Sequence, residues 1–124
     1  MKIKNIAGSM LKRRWIFLLL ICISAYLPAA DIYVSTRGND QQSGTKEAPK
    51  ASLSAALRQA REMRRLQLPG TENGINIILS GGTYQLNQTL FVRPEDNGTS
   101  RSPLFIRGEK GEKVILSGGV NITH

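Results

Sequence analysis

Three hydrophobic textures follow one another along the chain. From Trp15 to Ala25 apolar residues run on for about 11 positions. From Leu53 to Met63 they recur at helical spacing, as Leu53, Ala56, Leu57, Ala60 and Met63. From Gly74 onward they come in short runs closed by Gly, Pro or Asn: Ile75 to Leu79, Thr83 to Leu86, Thr89 to Val92, Leu104 to Ile106 and Val114 to Leu116. The first texture is too short for a spanning helix, which needs about 20 apolar residues. It follows Lys12-Arg13-Arg14 and ends in the small residues Ala29-Ala30, the pattern of a signal peptide over residues 1–30. Cleavage near Ala30 would leave Asp31 first, although Pro28 is an unfavourable third residue before that bond. Lipidation at Cys22 and an uncleaved anchor are the alternatives; Ile21 stands against the former, where a small side chain is needed.

The second texture lies in a segment spanning residues 31–73. Asp31 to Ser35 reads as a short strand, and Thr36 to Thr45 as a polar turn. Ser52 is suited to cap a helix from about Leu53 to Leu66, with Arg64 and Arg65 at its negative end. Pro69-Gly70 stops it. The opposite face, with Arg58, Arg61, Glu62, Arg64 and Arg65, reads as solvated rather than as a nucleic-acid patch.

The third texture, residues 74–124, has the period of strands. Ile75, Ile77 and Leu79 share one face, as do Leu104 with Ile106 and Val114 with Leu116. Ile78-Leu79-Ser80-Gly81-Gly82 returns 37 residues later as Ile115-Leu116-Ser117-Gly118-Gly119. Repeated short strands with Gly at the corners point to a stacked β solenoid, with a sandwich as the competing arrangement. A solenoid needs about three repeats to be stable, and one or two coils fit here, so the chain reads as the beginning of something longer.

Composition narrows the field. With 40% hydrophobic and 21% charged residues the chain is not disordered, and its 124 residues allow one small domain. One Cys and one His exclude an internal disulfide, a four-Cys zinc site and a His-pair metal motif. The formal charge of +8 shrinks on division: residues 1–30 carry five basic and no acidic side chains, and the rest hold 12 basic against 9 acidic. The basicity is mostly an address, and no nucleic-acid partner is expected.

The mature segment resembles the N-terminal portion of secreted bacterial right-handed parallel β-helix proteins, the pectate-lyase-like superfamily. The likeness runs in order through Ile32-Tyr33-Val34-Ser35, Gly38-Asn39-Asp40, Ser43-Gly44-Thr45, Pro49, Ala51-Ser52-Leu53 and Ala55-Ala56-Leu57. It continues through Gly81-Gly82-Thr83-Tyr84, Pro94-Glu95-Asp96, Gly98-Thr99, Pro103-Leu104, Gly111-Glu112-Lys113 and Leu116-Ser117-Gly118-Gly119. Lys50 departs from it, where an aromatic residue is common. The resemblance implies a mostly β chain with one capping helix: the N-terminal cap and first coils of an incomplete right-handed parallel β-helix. It is nearest to those of glycoside hydrolases. Gly81-Gly82 and Gly118-Gly119 would supply tight corners, Pro94 would end a strand and Pro103 begin one.

Candidate chemistry is sparse. Glycoside hydrolysis uses two carboxylates across the scissile bond. Glu95-Asp96 reads as turn chemistry before Asn97-Gly98, and Glu109 and Glu112 as a solvated hairpin. Asp40 with Asn39 and Ser43 is thin for calcium, which wants six or more oxygens, and an Asx-type turn is the plainer reading. Arg93, Arg101 and Arg107 could meet acidic sugars, but arginine on an exposed strand is ordinary. Tyr33, Tyr84, Phe91 and Phe105 read as core; Trp15 falls in the leader, and His124 has no visible partner. The triplets at Asn87, Asn97 and Asn121 match the N-glycosylation pattern but would mean little in the bacterial secretory context that the resemblance implies.

No catalytic residue, metal ligand or cofactor site is therefore assigned, and the substrate-binding residues stay open. The expected function is that of an N-terminal fragment of an exported polysaccharide-degrading protein, hydrolase or lyase, inactive by itself. Its partner would be a polysaccharide or oligosaccharide met through further coils, and its membrane contact would be the signal peptide alone. The expected location is periplasmic, outer-surface or extracellular. The alternative is part of a non-catalytic β-helix surface protein that binds glycans or cell-surface partners.

Overall fold

A computed structural model describes residues 27–119 and Ile122. Most of the expected leader, with Trp15 and Cys22, lies outside the described residues, as do Asn121, Thr123 and His124. The order is β1 (Ala30–Val34), α1 (Leu53–Arg65), β2 (Ile75–Leu79), β3 (Gly82–Gln85), β4 (Leu104–Gly108) and β5 (Val114–Ser117). Single 3-10 turns occupy Thr71–Asn73 and Pro94–Asp96.

Every strand pairing between these elements is parallel. One sheet has the order β1-β2-β4 and the other pairs β3 with β5. Such connections exclude tight hairpins, because a parallel partner must be reached by a crossover. They exclude the sandwich of antiparallel strands and leave a small α/β unit of parallel strands with one helix. The register brings like residues together: Ile32 faces Ile77, which faces Ile106, while Val34 faces Leu79. Ile32, Val34, Ile75, Ile77 and Leu79 are buried, and α1 adds Leu53, Ala56, Leu57 and Ala60 to the same core.

Helix α1 starts where its sequence says it should. The Ser52 hydroxyl accepts the Ala55 N–H at 3.1 Å, and extended backbone at Ser52 breaks the helix on that side. At the other end Leu66 caps it, with Arg64 and Arg65 in the last turn. Ala30, expected at the end of the leader, is the first residue of β1, and its N–H bonds the Gly74 carbonyl at 3.1 Å.

The second sheet meets the first at a corner built on one carbonyl. Val34 O accepts the Ser80 N–H at 2.9 Å and lies 3.0 Å from the buried Tyr84 hydroxyl. Tyr84 thus anchors β3 to the end of β1, and its polar tip is satisfied inside an apolar setting.

Several expectations change. Thr89 to Val92 forms no strand, and Phe91 and Val92 are exposed. Phe105 is also exposed, at 56%, because it sits on the outer face of β4, whereas Tyr84 is core as expected. Pro94 opens a 3-10 turn rather than ending a strand. The Gly108 to Lys113 segment is no hairpin, since β4 and β5 belong to different sheets. The echoed pentapeptide is not the structural repeat: residue 75 faces 104 and residue 82 faces 114. Those offsets are 29 and 32, against 37 for the echo, whose copies end in different sheets. Of the corner glycines, Gly82 has a positive φ of 143°, while Gly118 and Gly119 are not among the positive-φ residues.

The Ile32–Ile77 stack carries the centre of the core. Ile77→Ala is expected to cost about 2–5 kcal/mol through lost transfer energy and a residual cavity. A urea denaturation midpoint measures it; a loss well under about 1 kcal/mol would mean the stack relaxes freely.

Candidate functional site

Two clusters tie the helix to the loops around it, and a groove lies between them. The first cluster centres on Asp40. Its Oδ1 accepts the N–H groups of Ala51 at 2.9 Å and Ser52 at 2.8 Å, and its Oδ2 accepts the Ser52 hydroxyl at 2.7 Å. Burial alone would raise this carboxyl. The bonds from Ser52 and Ala51 outweigh it, with help from the charge of Arg58, and hold the pKa below the ordinary 3.8. Asp40 is therefore a clamp on the helix entry, where an Asx-type turn was expected. Asn39 makes that turn instead, accepting the Gln41 N–H at 2.9 Å. The Ser43 carbonyl accepts from Gln59 Nε2 at 2.7 Å. With these oxygens engaged by N–H and O–H donors, the trio is not assembled as a calcium cage.

The second cluster corrects the solvated-face reading of α1 at Arg61 and Arg64, while Arg58, Glu62 and Arg65 are exposed as that reading expects. The Asp96 side chain is fully buried and pairs with Arg61, at 2.5 Å to Nε and 3.2 Å to Nη2. Asp96 Oδ2 also accepts the Arg93 N–H at 2.7 Å. Arg64 Nη2 donates to the Ser102 carbonyl at 2.9 Å. Two helix arginines thus hold the 93–102 loop. Burial would raise the Asp96 carboxyl, but the Arg61 and Arg93 hydrogen bonds and charges pull it below 3.8. Gly98 lies under Arg64 with φ of 72°, and a Cβ there would collide with the Ser102 carbonyl and the Arg64 guanidinium.

The remaining acids do not converge on a substrate. Glu95 is exposed on the turn beside buried Asp96. Glu109 pairs with Lys46 at 3.4 Å, an exposed contact worth little. Glu112 accepts the Gly81 N–H. Among the described residues no three His, Cys, Asp or Glu side chains gather as metal ligands, and no helix is long and apolar enough to cross a membrane. Arg101 and Arg107 are exposed, and Lys50 Nζ donates to the Asp40 carbonyl at 3.0 Å where an aromatic residue was expected.

Between the clusters runs a groove that the sequence did not announce. A cavity of about 490 Å³ lies between the N-terminal half of α1 and the segment from Thr83 to Gln88. A smaller one of about 180 Å³ continues along the helix to Phe91 and Arg93. Ser54, Arg58 and Gln88 line both. Nothing local marks these residues, because helix and loop are brought together by the Arg61–Asp96 pair across 35 positions.

Comparison with known proteins bears on what such a unit belongs to. No protein-family model matches the chain. Over 107 residues, 86% of its length, it is 38% identical to pectate lyase PEL9 of Emericella nidulans. It is 33% identical over 87 residues to the uncharacterized protein YwoF of Bacillus subtilis. A solved glycoside hydrolase structure superposes on 74% of the chain with a TM-score of 0.72 and 51% identity. These alignments span 22%, 15% and 15% of the three proteins, so the homology is to a small part of each.

Two outcomes follow from the Arg61–Asp96 pair. Arg61→Met leaves a buried carboxylate unpaired and should cost about 3 kcal/mol in denaturant unfolding. Because Asp96 and Asp40 have folded pKa values below 3.8, their stabilisation is complete above the unfolded value and fades as pH falls through the folded ones. A denaturation series below about pH 4 should therefore steepen in the wild type and flatten in Asp96→Asn. Gly98→Ala should lower the thermal midpoint by several degrees, since both φ and space oppose a side chain.

Proposed function

We propose that this chain is the N-terminal cap and first coils of a right-handed parallel β-helix in an exported polysaccharide-degrading protein. The reading is carried by the 51% identical superposition on a glycoside hydrolase, which takes in most of this chain and 15% of that one. The PEL9 alignment supports polysaccharide breakdown from a second direction, by elimination rather than hydrolysis. In-register parallel stacking supports the coil, and α1 supports the cap: it covers the inward residues of β1 and β2, which would otherwise meet water. At the far side, Ile106 and Leu116 are 41% and 47% exposed on unpaired parallel edges. That surface is suited to a following coil stacked on β4 and β5.

On this reading the chain positions and terminates the coil stack, and the catalytic carboxylates or basic residues are supplied by later coils. Residues 1–30 serve as the export signal. Cleavage after Ala30 would remove the first residue of β1 with its bond to the Gly74 carbonyl, so that β1 of the mature chain would begin at Asp31.

The DNA that follows codon 124 provides the test. A continuation, in frame or shifted, should encode further short strands with glycine corners. The polypeptide including it should release reducing ends or unsaturated uronides from plant polysaccharides, and the 124-residue chain should release neither. A verified stop with no such continuation would remove the enzyme reading, and so would turnover by the 124-residue chain alone.

A further inference from the structure

We infer that a signal peptidase cuts this chain on the N-terminal side of Leu27, with Ser24–Ala25 the favoured bond, and that residues 27–30 stay on the mature protein as the outermost layer of its stack. The export role proposed above for residues 1–30 is the premise; only the bond that is cut changes.

Three contacts hold residues 27–30 in place. The Leu27 carbonyl accepts from Asn73 Nδ2 at 2.6 Å. The Pro28 carbonyl lies against Gly70, where a Cβ would come within 3.0 Å of it, and Gly70 has a φ of 91° that favours glycine. The Ala30 N–H donates to the Gly74 carbonyl at 3.1 Å. The 70–75 turn is held in the same way from its other side. The Ser102 hydroxyl donates to the Thr71 carbonyl, and the Ile75 N–H donates to the Pro103 carbonyl at 2.9 Å. Residues 27–30, 70–75 and 102–104 are therefore three layers of one stack, and the first layer comes from the end of the leader. Ala30 also packs on the core as the register partner of Ile75, which is fully buried. A cut after Ala30 would strip this layer and turn the Gly74 carbonyl and the edge of Ile75 toward water.

The peptidase's own preference points the same way. Small residues are wanted around the cut, in an A-x-A-like pattern. For a cut after Ala30 the third residue back is Pro28, and after Ala29 it is Leu27. Neither fits. Cys22 and Ser24 are both small and stand at the right spacing for a cut after Ser24. The seven apolar residues from Trp15 to Ile21 that precede them suffice for the apolar region of a signal, about 7–15 residues. Cys22 to Tyr26 lie outside the described residues. Sequence thus selects the bond, and the stack sets its C-terminal limit at Leu27. The step is a hydrolysis: water supplies the hydroxyl of the new Ser24 carboxyl and a hydrogen of the new Ala25 amine.

Expression of the full 124-residue chain in a bacterium, followed by fractionation, intact mass and N-terminal sequencing, provides the test. The exported protein should begin at Ala25, and a start at Tyr26 or Leu27 would equally keep the layer. In the same material the Ala30 amide should exchange its hydrogen about tenfold or more slowly than an unstructured amide. An exported protein beginning anywhere after Leu27, Asp31 included, would overturn the inference and leave export standing. Residues 1–24 still attached would overturn it too, and would remove the export reading as well if that chain stayed in the cytoplasm. An acyl mass on Cys22, or free exchange at Ala30, would also count against it decisively.

Discussion

Strands that pair only in parallel cannot share a turn. Each must leave the sheet, cross over and return, so its inward residues come to rest on those of the strand before it. That constraint fixes most of what is seen here. It puts Ile32, Ile77 and Ile106 in one file and Tyr84 over Leu116 in another. Among the described residues no strand pairs with the outer edge of β1, and α1 covers the core there with Leu53, Ala56, Leu57 and Ala60. The crossover between β1 and β2 is where the helix is inserted.

The helix is held at two points by carboxylates that come from elsewhere. Asp40 fixes its first turn, and Asp96 fixes its middle through Arg61. These contacts convert a charged helix face from a surface in water into the wall of a groove. Polar residues on that face thereby acquire a shared geometry with a loop that itself forms no strand. The same ion pair that stabilises the packing thus determines which side chains can act together.

The sequence disclosed what is periodic and local. The helix and its Ser52 cap were legible because apolar spacing and a capping hydroxyl sit side by side, and four of the five runs after Gly74 became strand cores. What it withheld is long-range. Arg61 and Arg64 looked solvated because their partners, Asp96 and Ser102, lie 35 and 38 residues away. Phe91 looked like core because hydrophobicity says nothing about whether a neighbouring strand exists to cover it. The repeated pentapeptide does hold a strand end in each copy, but its 37-residue spacing is not the pairing offset, because identical corners occur wherever a strand turns, whichever sheet it leaves. The groove was invisible because no single segment of sequence contains both of its walls.

The spatial order β1-β2-β4 is also the order of synthesis. A strand emerging from a ribosome or an export channel therefore finds its partner already made. Helix α1 with β1 and β2 can close before the later residues appear, and each finished edge then serves as the template for the next segment. Assembly by accretion of this kind does not wait for the far terminus, which is a severe demand in proteins whose sheets pair distant segments.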